Sequence, residues 1–435
     1  MGAYEKFFRL SPTTKPVGLT AQMLDYYGDC GCDTSIVKLA ISDDGEINNA
    51  FELLLKDLHS GKLQPDQISL PYYTATSNKL MEAVKDGLGA DFFPADDIRN
   101  NLKAYFTENV FAFSAAKTLA MRQMFMGYLT DDDGNLRSWA TFRNSVANNA
   151  TIYNMSHLQT EYDSAIAHSQ MAVKWHTMQS FDKLEYSTVG DNRVRPAHRR
   201  FDGLILSKDD PFWKTYWPPL DWNCRCTIIP AESGATDSSE ERLKGAVNPE
   251  NPKDDVKPYF KGNAGIDKVI FKDEHPYQNN MPKELDAEKN YNLPSVKKIY
   301  ENEDLTSFEG LPNKDAASAY WTSMTNGTGT VNVKSLDGLD VVFDNDFAKK
   351  AIAHEQDRYK FLNQFSDVVK SPDEIWANRR NGKIERTYIK YYDDYPIIVG
   401  IDNNRAATIH QLRKGDTIDL KAATNKRKGV LIYNK

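Results

Sequence analysis

The sequence predicts an α+β protein of several domains, and three observations support this prediction. A chain of 435 residues is longer than one compact core of typical size accommodates. Apolar residues recur at helical spacing before about residue 175, and short β-prone pieces follow. The last segment combines one long amphipathic helix with several strands. We therefore expect a mainly helical N-terminal region, a small β-rich subdomain and a small C-terminal α+β domain with a long helix and an antiparallel sheet.

Four segments follow from this pattern. Residues 1–180 are predicted to form the helical region, residues 181–280 the β-rich subdomain, residues 281–300 a linker and residues 301–435 the C-terminal domain. The linker lies in the polar stretch NNMPKELDAEKNYNLPS. The long helix is expected over NDFAKKAIAHEQDRYKFLNQFSDVV, and the strands after it over DEIWAN, RTYIKYY, YPIIVGID, RAATIHQL and VLIYN.

Composition excludes several classes of protein. Hydrophobic residues at 40% and charged residues at 26% are the balance of a globular protein rather than a disordered or fibrous one. Apolar runs stay well below the roughly 18 residues that cross a bilayer, so we expect no membrane partner. The amino terminus lacks the layout of a secretory signal, which predicts synthesis in a cytoplasm. Four Cys, as two Cys-x-Cys pairs, are too few for a disulfide scaffold.

Charge is distributed unevenly along the chain. The net charge is -7, yet residues 376–435 hold 13 Lys and Arg against 6 Asp and Glu, a local charge of +7. Such a basic module would select a phosphate-rich partner, and a solvated basic face is the alternative interpretation.

Residues 186–227 concentrate polar, aromatic and thiol side chains within about forty positions. The set is Asp191, Arg193, Arg195, His198, Asp202, Trp213, Pro218, Pro219, Asn223, Cys224, Arg225 and Cys226. His198, Cys224 and Cys226 are candidate zinc ligands, with Asp191 or Asp202 as a fourth, although Cys-x-Cys is tighter than ordinary zinc spacing. Alternatively, the Asp, Arg and His residues form a hydrogen-bonded network and the thiols are simply buried. For Cys30 and Cys32, pairing, metal binding and no role all stay open.

The order of these residues resembles the signature of the phage Mu F-like minor head proteins, also called the head-morphogenesis family. The matching parts are the Asp191-to-Gly203 segment, the ending PPLDWNCRC, the downstream YFKGNAG and the His275-Pro276-Tyr277 triplet. The resemblance covers roughly residues 1–280, with specific motifs in residues 183–280. It implies a few copies in the virion, in the head interior or portal region, with portal and head proteins as partners and a role in head assembly or DNA delivery.

The C-terminal segment resembles the phage-associated nuclease-like domains of the barnase, EndoU, colicin and RelE group. The likeness rests on His354, on SPDEIW and YIKY, and on the closing KRKGVLIY. Metal-free RNA cleavage needs a base, an acid and a cation that stabilises the phosphorane. Candidates are His354 as base or acid, Arg386 and Lys390 for the phosphate charge, and Thr408 as a phosphate hydrogen-bond donor. Tyr388 shares a strand face with Arg386 and Lys390.

The sequence thus predicts a minor head protein that carries a ribonuclease toxin, delivered with the virion, with RNA as substrate and an immunity protein as a possible partner. No cofactor is required for the predicted cleavage, and a structural zinc ion is the one metal considered. An alternative makes the whole chain structural, with its basic domain bound to packaged DNA. A free bacterial toxin unrelated to phage is the third interpretation, and it leaves the central motif unexplained.

Overall fold

The computed structural model of the protein describes residues 45–151, 157–252 and 255–435. Cys30 and Cys32 lie outside these described residues. The chain forms two compact units. Among the described residues, unit 1 contains residues 45–65, Ser69–Gly89 and Ala116–Met281, and unit 2 contains Asp66–Ile68, Ala90–Ala115 and Pro282–Lys435. The four segments expected from the sequence stay predictions, and the two units add that residues 90–115 group with the C-terminal part of the chain.

Five helices are described before residue 180. They are α1 Gly45–His59, α2 Leu70–Leu88, α3 Ile98–Met126, α4 Trp139–Thr151 and α5 Leu158–Met178. In α1, Ile47, Leu54 and Leu58 are buried because apolar residues recur every three or four positions. Gly89 ends α2 with φ +91°, a left-handed conformation that glycine adopts without a Cβ clash. The mainly helical N-terminal region is confirmed.

A small antiparallel sheet with short helices around it follows in unit 1. The elements are β1 Lys183–Ser187, α6 Pro196–Arg199, β2 Leu204–Ser207, α7 Phe212–Thr215, β3 Thr227–Pro230, α8 Glu240–Val247 and α9 Ala264–Asp267. The strand order is β2-β1-β3, with Tyr186 opposite Leu204 on one side and Ile228 on the other. Turns of 3-10 helix cover Pro258–Phe260 and Pro276–Asn280.

Unit 2 is built around a seven-stranded sheet. Its elements are α10 Val296–Asn302, α11 Lys314–Met324, β4 Thr330–Lys334, β5 Asp340–Asp344, α12 Asn345–Ala353, α13 Phe365–Lys370, β6 Glu374–Arg380, β7 Lys383–Tyr391, β8 Pro396–Asp402, β9 Arg405–Gln411, β10 Arg413–Lys414, β11 Thr417–Ile418, α14 Leu420–Lys426 and β12 Val430–Asn434. The sheet order is β12-β6-β7-β8-β9-β5-β4, antiparallel except where Val342 of β5 pairs with Arg405 of β9. The α+β class is confirmed.

The single long helix expected before the sheet was wrong in its extent. α12 ends at Ala353, His354 is extended (φ -65°, ψ 138°), and Asp357 is left-handed with φ +53°. A 3-10 helix, Arg358–Gln364, leads into α13. The intervening HEQD supplies no apolar residue, so a continuous helix would have carried polar side chains along its core face. The break lets the later apolar residues Phe361, Leu362 and Phe365 reach the core.

One face of the large sheet packs on these helices. Ile375, Tyr388, Val399 and Ile409 lie side by side on β6 to β9 and belong to the same buried cluster as Phe365. Their neighbours on the other face include His410, because successive residues of a strand alternate. The face that carries Tyr388 is therefore closed by the core.

The first half of α3 completes unit 2. The Asn100 side chain donates to the Asp340 carbonyl at 3.1 Å and accepts from the Asp340 N–H at 3.0 Å. The Tyr105 hydroxyl donates to the Gly382 carbonyl at 2.9 Å. A fragment that begins at residue 301 lacks all of these contacts.

Candidate functional site

His198, Cys224 and Cys226 converge in the small β subdomain. The Nδ1 atom of His198 lies 3.6 Å from the Sγ atom of Cys224 and 3.7 Å from that of Cys226. All three ligand atoms lie within 4.8 Å of one another. His198 is buried and both Cys side chains are half-buried. This is the combination of thiol and imidazole groups that thiophilic cations prefer.

Short turns place the two cysteines. The Pro218-Pro219 peptide bond is cis, and Asn223 is left-handed with φ +53°, a conformation that Asn tolerates better than most residues. The Cys224 N–H then donates to the Asp221 carbonyl at 3.2 Å. Cys226 directly precedes β3, which pairs with β1, while His198 lies on the short helix α6. Two separate backbone segments thus converge on one point.

The two thiols have different acidities. A hydrogen bond from Cys226, together with the adjacent His198, holds the pKa of Cys224 well below its usual value, although burial opposes this effect. The pKa of Cys226 is raised, because Cys224 accepts its proton and burial disfavours a second thiolate.

The charged residues of the motif form two ion pairs, one exposed and one largely buried. Asp191 accepts two hydrogen bonds from Arg225, at 2.7 and 2.8 Å, which lower its pKa to about 2. Arg195 pairs with Asp221 at 3.0 Å. The expected network is therefore realised for the Asp and Arg residues, while His198 faces the thiols instead.

Other motif residues hold the surrounding core. The Trp213 indole is buried and its N–H donates to the Ser207 carbonyl at 2.8 Å. The backbone carbonyl of Trp213 accepts a hydrogen bond from the Asn263 side chain. Asp202 accepts from the backbone and hydroxyl of Thr188. His275 is buried elsewhere in unit 1, where burial and the charges of Lys117 and His157 keep its pKa well below the usual value.

In unit 2, Arg386 and Tyr388 both contact one buried carboxylate. The Arg386 Nε atom lies 3.0 Å from Asp337, with 0% and 6% of the two side chains exposed. Tyr388 donates to the same carboxylate at 2.6 Å, and Arg386 also donates to the Ala104 carbonyl at 2.9 Å. These contacts indicate that Arg386 and Tyr388 stabilise the packed face of the sheet.

Lys390 and Thr408 occupy different surroundings. Lys390 pairs with Asp367 of α13 at 2.8 Å. Thr408 is half-buried on β9 opposite Gly400, where an added Cβ would lie 2.9 Å from the Thr408 hydroxyl. The Thr408 hydroxyl is therefore packed closely against the backbone of Gly400.

A second group of basic residues surrounds His410 of β9. Burial, followed by the positive charges of Arg358, Lys426 and His354, lowers the pKa of His410 to about 3. The buried Nδ1 atom of His410 and the buried Nε atom of Arg358 have no hydrogen-bond partner among the residues that the structure describes. His354 is half-buried, and its Nδ1 atom accepts from the Gln356 N–H at 3.2 Å. We call His354, Arg358, His410 and Lys426 the basic cluster.

Comparison with known proteins identifies the central region. Residues 140–229 match the family described as Phage Mu protein F like protein. This region is Mu F-like. The chain is 31% identical over 136 residues to a protein named capsid assembly protein F of Escherichia phage Mu, covering 30% of this chain and 29% of that protein. It is 46% identical over 43 residues to the Mu-like prophage FluMu F protein of Haemophilus influenzae, covering 10% of each. An uncharacterized protein of Methanocaldococcus jannaschii is 47% identical over 49 residues, covering 11% of this chain and 8% of that one.

These matches cover less than a third of the length of the curated relatives. Residues 326–434 match the family described as phage-Barnase-EndoU-ColicinE5/D-RelE like nuclease2. The chain therefore combines a Mu F-like region with a phage nuclease-like domain, and both resemblances expected from the sequence are confirmed. No solved structure matches the chain. None of the helices in the described ranges has the length and apolarity that crossing a bilayer requires.

Sequence reasoning missed three members of the basic cluster. It selected His354 and passed over Arg358, His410 and Lys426. One signal was present, because His410 follows Thr408 by two residues and therefore shares its strand face. The other two residues lie on separate elements, and only folding reveals their proximity.

Proposed function

We propose that this protein is a minor head protein of a tailed phage or prophage whose C-terminal unit is a metal-independent ribonuclease, carried in the virion near the portal and delivered with the DNA. The Mu F-like region supports the head role, since its relative in phage Mu is named for capsid assembly. The nuclease-like match supports an activity on nucleic acid. The single observation that carries the ribonuclease proposal is the basic cluster, in which the charges of Arg358, Lys426 and His354 act on the buried His410, and the His410 Nδ1 and Arg358 Nε atoms are buried without a hydrogen-bond partner among the described residues.

The cluster contains the groups that RNA cleavage by internal transfer requires. One imidazole takes the proton from the 2′-hydroxyl, whose oxygen attacks phosphorus, and the other gives a proton to the departing 5′-oxygen. His354 and His410 provide these two imidazoles. Arg358 and Lys426 stabilise the added negative charge on the phosphorane, since guanidinium and ammonium groups bind phosphate oxygens.

The ligand-free electrostatics favour binding of an anion here. His410 is neutral at pH 7 because neighbouring cations and burial disfavour its protonation. A phosphate group would reverse part of that effect by placing negative charge between the cations. The buried, unpartnered Nδ1 and Nε atoms of His410 and Arg358 would gain an acceptor at the same time.

Thr408 extends the proposed site along β9. The Thr408 hydroxyl lies on the same face as His410, two residues away, and packs closely against Gly400 of β8. We assign Thr408 to hydrogen bonding of the phosphate or an adjacent ribose. Arg386 and Tyr388, on the opposite face, are left out of the proposed site, and Lys390 is engaged by Asp367.

The test uses the full chain, because residues 90–115 belong to unit 2. The purified protein is expected to cleave single-stranded RNA in the presence of a chelator. His354→Ala and His410→Ala should each lower the rate by about 10²–10⁴-fold, the usual contribution of one acid or base. Arg358→Ala should lower it by about 10²-fold.

Lys421→Ala is the matched control for Lys426→Ala, since both lysines are exposed residues of α14 and Lys426 is the one whose charge lowers the pKa of His410. Only the Lys426 variant should lose activity. If the wild-type protein leaves RNA intact but shifts duplex DNA, the ribonuclease proposal fails and the DNA-packaging role replaces it. Mass spectrometry of purified virions tests the head location separately, and a toxic fragment would also allow a search for an immunity protein.

A further inference from the structure

The convergence of His198, Cys224 and Cys226 in the Mu F-like region goes beyond the proposed nuclease. We propose that these three side chains bind one zinc ion, with the fourth coordination position open to the adjacent pocket. The ion would join α6 to the turn before β3 and so fix the most distinctive segment of the sequence.

The distances fit a tetrahedral ion. With Zn–S near 2.3 Å and Zn–N near 2.0–2.1 Å, tetrahedral angles place a ligand nitrogen about 3.6 Å from a ligand sulfur. The two distances from Nδ1 of His198 are 3.6 and 3.7 Å. All three atoms also lie within 4.8 Å of one another, which leaves a common centre for an ion.

Hydrogen bonding alone accounts poorly for this arrangement. Whether it donates or accepts, Nδ1 makes one well-directed hydrogen bond, yet two sulfur atoms lie at nearly equal distances from it. A cation bound to all three atoms satisfies them together.

Tyr186 supplies an independent observation. Its side chain is fully buried, and its hydroxyl lies beside the Cys226 thiol. The Cys224 and Cys226 thiols are near enough to influence this hydroxyl electrostatically. Metal-bound thiolates commonly accept hydrogen bonds from the surrounding protein, and Tyr186 would serve as such a donor.

The pocket beside the three ligands defines the fourth position. It is partly open and is lined by Arg193, Asn223 and Arg225 in addition to the three ligands. Asp191 is held by Arg225 at 2.7 Å and is therefore engaged elsewhere. We assign a water molecule to this position, because the pocket reaches solvent and polar side chains form part of its lining.

The experiment measures metal in the full chain purified with a thiol reductant and without chelator. One equivalent of zinc is expected by elemental analysis. After replacement by Co²⁺, the spectrum should show the visible bands of a tetrahedral ion and a thiolate-to-cobalt charge-transfer band. Cys224→Ser and Cys226→Ser should abolish stoichiometric binding, whereas the double variant Cys30→Ser, Cys32→Ser should retain it.

His198→Cys keeps the proposal testable if other variants fold poorly. A third thiolate should retain the ion and intensify the charge-transfer band, whereas His198→Ala should lose both. Reduced wild-type protein without stoichiometric zinc would overturn the proposal, as would zinc that survives the Cys224 and Cys226 substitutions. A Cys224–Cys226 disulfide that resists reduction would also overturn it. None of these outcomes depends on RNA cleavage.

Discussion

The Mu F-like subdomain and the nuclease-like domain differ in how their polar residues are arranged along the chain. In the first, His198, Cys224 and Cys226 come from one short stretch, and local turns bring them together. In the second, His354, Arg358, His410 and Lys426 come from four separate segments of the chain. The sequence therefore predicted that the residues of the compact motif lie together, but it did not predict this for the residues that are far apart in the chain.

Burial separates the two regions further. In the Mu F-like motif, the pair of Asp191 with Arg225 is partly exposed, with 37% and 40% of the side chains accessible. In unit 2, two ion pairs are buried, Arg386 with Asp337 and Arg427 with Glu374. The basic C-terminal charge is therefore partly neutralised inside the domain, which lowers what it contributes to binding nucleic acid.

The largest effect is expected when the buried ion pair of Arg386 with Asp337 is broken. Arg386→Ala leaves the Asp337 carboxylate buried without its cation and should destabilise unit 2 by about 3–5 kcal/mol. Hydrogen exchange of peptides from residues 374–411 in increasing urea measures the loss. Arg405→Ala is the matched control, since its pair with Asp344 is exposed and worth less than about 1 kcal/mol. Unchanged stability with lost RNA cleavage would instead make Arg386 catalytic.

A pH series sharpens the comparison at His410. Its folded pKa of about 3 lies below the unfolded value near 6.5, so the unfolded chain binds the extra proton first. Stability is complete above pH 6.5 and falls as pH drops toward 3, by about 1 kcal/mol per pH unit. His410→Asn should flatten this slope in peptides from residues 374–411. An equal slope in both proteins contradicts the assignment.

The smallest effect is expected at the exposed pair. Asp191→Ala removes the partner of Arg225 but leaves the three proposed zinc ligands in place, and exposed ion pairs contribute little. We expect an unchanged melting temperature and undiminished zinc content. A substantial loss of melting temperature or of zinc content would show that the Mu F-like motif depends on this exposed ion pair, and would contradict the expectation that the pair contributes little.

Particular residues show how far sequence reasoning reached. The β7 alternation placed Arg386, Tyr388 and Lys390 on one face, as predicted, yet that face is the packed one. Period-two spacing defines the two faces of a strand but not which face is covered. The same limit applies to His354, which was expected inside a helix and lies just after its end.

The sequence by itself determined the α+β class, the Mu F-like motif and the nuclease-like likeness, because these depend on periodicity and on residues close together in the chain. Tertiary structure alone decided that residues 90–115 complete the C-terminal unit, that Arg386 is internal, and that Arg358 and Lys426 influence His410. The physical reason is that burial and electrostatic coupling depend on contacts between distant segments, which local pattern does not encode.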